Sequence, residues 1–248
     1  MEQEPFLIVR SAAYGFASGD FRLLEHQHEW RQFLYATFGA MTVYAGRMSW
    51  MIPAGNAVII PAGCRHSMRM WGEVAMRTLY FPPDVDAAAM QDPECRVIPV
   101  TPLLRELVLR VIEVGALDCR VPAHERLAGV VLDELARAEP APLSLPMPVE
   151  ARAAAVAQDV LSMPADEAAL DELARRHGAG RRTLERLFRS ETGMSFGMWQ
   201  QKARLLYSVR ALAEARTVTE AAFDAGYASV SAYIAAFKRT FGCTPGKL

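Results

Sequence analysis

The sequence predicts an α+β chain of two domains, a small β-barrel covered by two helices and then an all-α domain built on two helix-turn-helix units. Three observations carry that expectation. Residues 1–98 are short runs rich in β-branched and aromatic residues, separated at turn-like intervals by Gly and Pro. Residues 99–138 switch to helical periodicity, and residues 170–245 contain one helical pattern twice. At ~150 residues per domain a chain of 248 holds one or two domains, and 52% hydrophobic with 22% charged residues suits a sizeable core rather than disorder.

The strand region reads as "FLIVR", "FRLLEH", "QFLYATFG", "MTVYAG", "RMSWMI", "AVIIPAG", "HSMRMWG" and "AMRTLYF", the pattern of a small barrel or jelly roll. Next, Leu104, Leu107, Val108 and Val111 make an apolar stripe that Gly115 ends, and after Pro122 a second stripe runs through Leu127, Val130, Val131 and Leu135. Two helices packed on the barrel are expected. The segment "EPAPLSLPMP" has four prolines in ten residues and cannot continue a helix. Residues 139–149 are therefore expected to be a semi-rigid linker that does not itself fold, dividing a domain at 1–138 from one at 150–248.

The duplication is specific. In the first copy Leu170, Leu173 and Ala174 keep helical spacing, Gly178 breaks the run, and Leu184, Leu187 and Phe188 resume it up to Thr192 and Gly193. The second copy runs through Val218, Ala221, Ala222 and Gly226, then Tyr233, Ala236, Phe237 and Gly242. Ala174 matches Ala222 at an offset of 48 and Phe188 matches Phe237 at 49, so one residue was gained inside the turn. Small Ala174 and Ala222 allow close helix approach, and Gly178 and Gly226 can adopt the positive φ of a sharp turn. With Leu184, Leu187 and Phe188 buried, the opposite stripe is Arg182, Glu185, Arg186 and Arg189, which could read base edges or be a solvated face. Duplication favours reading. Two such helices must reach successive major grooves about 34 Å apart, and the helix predicted over 196–213, with Phe196, Trp199, Ala203, Leu206 and Val209 as its stripe, spans about 27 Å.

Residues 152–245, most densely 170–245, resemble the DNA-binding domain of AraC-type bacterial transcription regulators. The resemblance lies in "LDELARRHGAGRRTLERLFRSETGMSF" and "VTEAAFDAGYASVSAYIAAFKRTFGCTP", whose "AFKRTFG" followed by Thr244 and Pro245 is a hallmark of the family. It implies recognition of double-stranded DNA by the second helix of each unit, through Arg182, Glu185 and Arg186 in the first and Ser231, Ile234 and Ala235 in the second. Arg181, Arg189, Ser229 and Lys238 complete the expected contacts. It also implies a small-molecule effector, a homodimer joined through one of the helices in 99–138, and RNA polymerase as a partner. Gly180 departs from the family's usual helix-capping serine.

The strand region resembles the cupin fold. His26, His28, Gln32 and Gly39 reproduce its first motif in part, and Gly55, Pro61, Gly63 and His66 reproduce the second at its usual spacing. Gln32 stands where that family has a carboxylate. Alternation along a strand places His26 and His28 on one face, and a barrel could bring His66 beside them as a three-imidazole site for a divalent transition metal, with Gln32 adding an oxygen. Without the carboxylate's charge compensation, the same residues could instead contact an organic effector or one another. Trp50, Trp71, Met68 and Met70 could line a ligand cavity or be plain core, and His124 and His177 are expected on helix surfaces.

The net charge of −1 hides an asymmetry: residues 150–248 carry 14 basic and 11 acidic groups, +3, and residues 1–149 carry 13 and 17, −4. The positive part is the duplicated part, which fits phosphate contact from local arginine clusters. Cys64, Cys95, Cys119 and Cys243 show no paired or zinc-type spacing, so reduced thiols are expected. No signal segment and no apolar run near ~18 residues is evident, and a cytoplasmic location is expected. The function expected is a ligand-responsive, sequence-specific DNA-binding transcription regulator. The alternatives are a cupin metalloenzyme of oxygenase type using His26, His28 and His66, with a helical appendage, or a protein-binding helix module.

Overall fold

The structure, a computed structural model, describes residues 7–17, 20–83, 85, 92–163, 170–213 and 216–247. The chain forms two compact units, Met1–Gly46 with Trp50–Ala141, and Arg47–Ser49 with Pro142–Leu248.

The first unit contains β1 (Leu7–Phe16), β2 (Asp20–His26), β3 (Arg31–Ala45), most of β4 (Met48–Pro53), β5 (Asn56–Ile60), β6 (His66–Phe81), β7 (Arg96–Pro99), α1 (Pro102–Val114), β8 (Ala116–Asp118) and α2 (Pro122–Arg137). Its spine is the antiparallel pair β3–β6, in register from Gln32 opposite Tyr80 to Ala45 opposite His66. The strand order is β7-β5-β3-β6-β1-β8, with β2 also paired to β6 and β4 to β3. Runs that the sequence divides at Gly39 and Gly72 are continuous strands here. Both glycines have positive φ, 74° and 68°, and bend the strands instead of ending them. The β3 register shifts between Ala36 and Ala40, so the face occupied by Gln32, Leu34 and Ala36 passes to Met41, Val43 and Ala45. A Cβ on Gly39 would lie 2.1 Å from the Glu73 carbonyl oxygen, so no side chain fits there.

Period-2 alternation sorts the sheet into two buried faces. Phe33, Tyr35, Ile59, Leu79 and Phe81 pack on Leu104, Val108 and Val111 of α1 and Val131 and Leu135 of α2. Val130, expected in that stripe, is 44% exposed, because α2 turns Ala128, Val131 and Leu135 inward. On the opposite face Gln32, Leu34, Val58, Ile60 and Thr78 are buried too, lining the interior of a barrel-like fold. Strand β8, three residues paired to β1, is too short to leave a periodic signal in the sequence.

The second unit contains β9 (Ser144–Pro146), α3 (Ala151–Ser162), α4 (Leu170–Arg176), α5 (Arg181–Thr192), α6 (Phe196–Ala213), α7 (Val218–Asp224) and α8 (Val230–Phe241). The internal repeat extends to individual hydrogen bonds. Ala179 N donates to Ala174 O at 2.8 Å, and 48 residues on Tyr227 N donates to Ala222 O at 3.0 Å. The next helices are capped by Gly180 and Ser229, 49 apart, so the additional residue is Ala228. Gly178 and Gly226 take φ of 61° and 76°.

Helix α6 is a rod to which both helix pairs are fixed. At one end Phe188 of α5 meets Phe196 and Trp199, ring centroids 5.1 and 5.2 Å away. Further along, Arg204 donates to the carbonyls of Ala225 and Gly226, where the end of α7 leaves acceptors unpaired, and Tyr233 of α8 donates to Ser208 Oγ at 3.0 Å. The proline-rich segment departs from the expected free linker: Leu143 and Leu145 are buried, and Pro146 O accepts from Trp199 Nε1 at 2.6 Å. Alternation of Leu143, Leu145 and Met147 is the signal of its docking. His177, expected at the surface, hydrogen-bonds Asp159 of α3 at 2.8 Å.

The Gly180 cap yields a stability prediction. Its φ of −82° and ψ of 145° suit any residue, it supplies no side-chain cap, and a Cβ would meet only Thr183 Oγ1 at 3.8 Å. Ser229, at the equivalent position, accepts from Ala232 N at 3.2 Å. Gly180→Ser should stabilise the unit by about 0.5–1 kcal/mol, read as a higher urea midpoint at unchanged slope. A lowered midpoint would contradict this account of the cap.

Candidate functional sites on the paired helices and in the barrel

Helix α5 buries Leu184, Leu187 and Phe188, and the 3.6-residue period then exposes Arg181, Arg182, Glu185, Arg186 and Arg189. The residues are not equivalent. Arg181 is held by Asp171 Oδ2 at 2.8 Å and Glu185 Oε1 at 3.0 Å, so Arg181 and Glu185 largely satisfy each other. Arg182, Arg186 and Arg189 form no ion pair with another described residue. They border an open cleft of about 650 Å³ between α5 and the first turn of α6, where Ser195 and Gln200 add polar groups.

Helix α8 presents a different surface. Ser231, Ala235 and Lys238 are exposed, Ile234 is half-buried, and the Ser229 hydroxyl accepts from the helix backbone. The stripe is short, small and nearly uncharged. Arg204, absent from the expected site residues, sets where this helix pair sits on α6 through the two carbonyls it clamps.

In the barrel, His26 lies directly opposite His66 across the β2–β6 pairing. His28 lies beyond the end of β2, so the turn, not strand alternation, brings it in: Gly63 N donates to His28 O at 2.8 Å. The ring centroids are 4.3 Å (His26–His66), 5.2 Å (His28–His66) and 6.2 Å (His26–His28) apart, and the three rings offer nitrogens within 4.8 Å of one another. Each Nδ1 faces a backbone carbonyl: Leu24 O at 2.9 Å for His26, Trp30 O at 2.5 Å for His28 and Cys64 O at 2.9 Å for His66. A carbonyl only accepts, so each Nδ1 carries a proton and donates it, and the neutral ring in that tautomer turns an Nε2 lone pair toward the cluster.

His66 Nε2 is buried without a hydrogen-bond partner. Burial lowers the His66 pKa to about 4, against the Cys64 hydrogen bond that raises it, so the ring is neutral near pH 7. Gln32 is buried, and its amide nitrogen donates to Thr78 Oγ1 at 3.0 Å and Tyr80 Oη at 3.1 Å. Its Oε1 is left 3.0 Å from His28 Nε2. That separation is within hydrogen-bond distance, so Gln32 Oε1 belongs to the same polar cluster as the three rings.

Sequence reasoning missed the apolar wall beside this cluster. Tyr14, Phe16, Phe21 and Leu23 are in register with the buried Met76, Val74, Met70 and Met68, and therefore point to the same interior face. Tyr14 and Phe21 remain 46% and 44% exposed, and Phe16 stacks between them with its centroid 6.5 and 4.8 Å from theirs. The spacing of 14 with 16 and 21 with 23 was the available signal. Trp71 has the opposite parity: it packs under Arg69 and donates to Thr42 Oγ1 at 2.9 Å, away from Met68 and Met70.

Comparison with known proteins gives matches to both parts. Residues 16–127 match the family described as an AraC-like ligand binding domain, and residues 173–248 match a helix-turn-helix domain family. The HTH-type transcriptional regulator NimR of Escherichia coli (strain K12) is 31% identical over 222 residues, covering 90% of this chain and 80% of that protein. The regulator RipA of Corynebacterium glutamicum is 38% identical over 100 residues, covering 40% of this chain and 30% of that protein. Among solved structures, ToxT of Vibrio cholerae aligns over 97% of both chains at 12% identity with a TM-score of 0.40. The DNA-binding domain of AdpA in complex with a target DNA covers 40% of this chain and 89% of that one, at 30% identity and a TM-score of 0.37.

Proposed function

The chain belongs to the AraC-type family of transcription regulators, and from that premise we propose which of its residues carry DNA recognition and effector sensing. It is a DNA-binding regulator with an N-terminal ligand-binding domain, not an enzyme, and the oxygenase alternative falls with that membership. Among the described residues no helix is long and apolar enough to cross a membrane.

DNA recognition rests on α5 and α8, with unequal roles. Arg182 and Arg186 read base edges as forked donors, Arg189 and Lys238 contact phosphates, and Ser231, Ile234 and Ala235 offer small contacts suited to backbone docking and thymine methyls. Arg181 and Glu185 position rather than read. The observation that carries this division is the Arg181–Asp171–Glu185 network, which leaves its neighbouring arginines available. Selection of bound sequences from random duplex DNA tests it: the α5 half-site should be G-rich and sharply defined, and the α8 half-site degenerate. Strict G·C preference under both helices would overturn the assignment.

In the barrel, His26, His28 and His66 with Gln32 hold a late first-row divalent ion. The supporting observations are three Nδ1 atoms tied to carbonyls, as in metal-binding histidines, and the buried, unpartnered His66 Nε2. Such an ion supplies Lewis acidity toward an effector's donor group. The effector fitting this interior is small, with an apolar or aromatic body against Tyr14, Phe16 and Phe21 and an oxygen or nitrogen donor directed at the imidazoles. A second copy of the chain is assigned to the outer side of α1 and α2, where Leu103 and Val130 stay exposed.

A further inference from the structure

Cys64 and Cys95, 31 residues apart in sequence, have sulfurs 3.9 Å apart, and neither is in a disulfide. Antiparallel pairing of β5 with β7, Ile59 opposite Arg96, carries Cys95 to the end of β5. The turn beyond Ile60 then folds Cys64 back over it, with Cys64 N donating to Pro61 O at 3.3 Å. Cys95 is buried and Cys64 half-buried, so a small oxidant reaches Cys64 first. Burial, reinforced by Cys64, Asp92 and Glu94, pushes the Cys95 thiol well above its ordinary range and keeps it protonated in the reduced protein. The same turn is tied to the imidazole cluster on both sides, through Cys64 O to His66 Nδ1 at 2.9 Å and Gly63 N to His28 O at 2.8 Å.

We propose that Cys64 and Cys95 are a hydroperoxide-responsive dithiol whose reversible disulfide moves the hydrogen-bond acceptor of His66. The Cys64 sulfur attacks one peroxide oxygen, the O–O bond breaks, and water or an alcohol leaves as Cys64 becomes a sulfenic acid. The Cys95 sulfur then attacks the sulfenic sulfur, the S–O bond breaks, and the hydroxyl departs as water with the Cys95 proton. One O–O bond is reduced by two electrons, and two thiols become one disulfide. Closing the sulfurs from 3.9 Å to a bond of about 2.05 Å draws the Cys64 backbone with them. The sequence spacing gave no sign of this pair, because it is made by strand pairing.

The test uses the full chain treated with hydrogen peroxide, followed by differential alkylation and peptide mass spectrometry. The expected result is protection of two of the four cysteines, a peptide linking Cys64 to Cys95, and recovery with dithiothreitol, while Cys119 and Cys243 stay alkylatable. In Cys95→Ala the link should vanish and Cys64 should be trapped by dimedone as its sulfenic acid. The His66 imidazole resonance should shift on oxidation of the wild type but not of Cys95→Ala. Failure of wild-type protein to form the linked peptide overturns the dithiol, and a link that leaves the His66 resonance unmoved overturns the coupling. Neither readout depends on a bound metal.

Discussion

Arg182→Ala and Arg186→Ala should each lower operator affinity by about 1–3 kcal/mol, roughly 5- to 150-fold, and flatten sequence preference at one or two base pairs. The magnitude follows from losing a bidentate contact to a base edge, while α5 keeps its buried Leu184, Leu187 and Phe188. Arg189→Ala should act differently, weakening all sequences alike and reducing the salt slope by about one. Arg181→Ala is the internal control. Its guanidinium is spent on Asp171 and Glu185, so it should change stability slightly and base preference little. Quantitative footprinting on the selected operator distinguishes these behaviours. Unchanged site preference in both Arg182→Ala and Arg186→Ala would remove α5 from the role of base reader.

Protein purified without chelator or polyhistidine tag should contain about one equivalent of a late first-row metal, and His66→Ala should lose it. Elemental analysis provides the measurement. The effect is close to all-or-none, because two imidazoles and an amide oxygen hold a divalent ion far less well than three imidazoles with that oxygen. DNA binding by the second unit should be unaffected, which separates loss of the ion from loss of folding. Stoichiometric metal in the His26, His28 and His66 triple-alanine variant would put the ion elsewhere and sink the site. Metal-free wild-type protein would leave the cluster to direct contact with an organic effector.

Helices were the more legible half. The Leu184–Leu187–Phe188 stripe, the turn glycines and the extent of α6 were all visible in periodicity, since a helix buries residues that lie close together in sequence. What periodicity could not show was which exposed arginines are already paired, because Asp171 reaches Arg181 across the turn between helices. In the strand region, Gly39 and Gly72 read as stops and proved to be bends, since a glycine at positive φ has the same sequence signature in a turn and in a bulge. The three histidines were found by resemblance, whereas Thr78, Tyr80 and the Tyr14–Phe16–Phe21 wall depend on register across strands far apart in the chain. The proline-rich segment misled because composition was weighed above the alternation of Leu143, Leu145 and Met147.

The β3–β6 spine also has a kinetic consequence. Arg31 must find Phe81 and Ala45 must find His66 before the barrel has an interior, so loop closure comes before any reward in burial. The second unit closes helix upon neighbouring helix and meets no such delay. During refolding, then, the α6 rod and its two helix pairs are expected to form ahead of the barrel, an order that hydrogen exchange pulsed during refolding would read. A chain stopped at that stage should bind duplex DNA without any response to a ligand of the barrel.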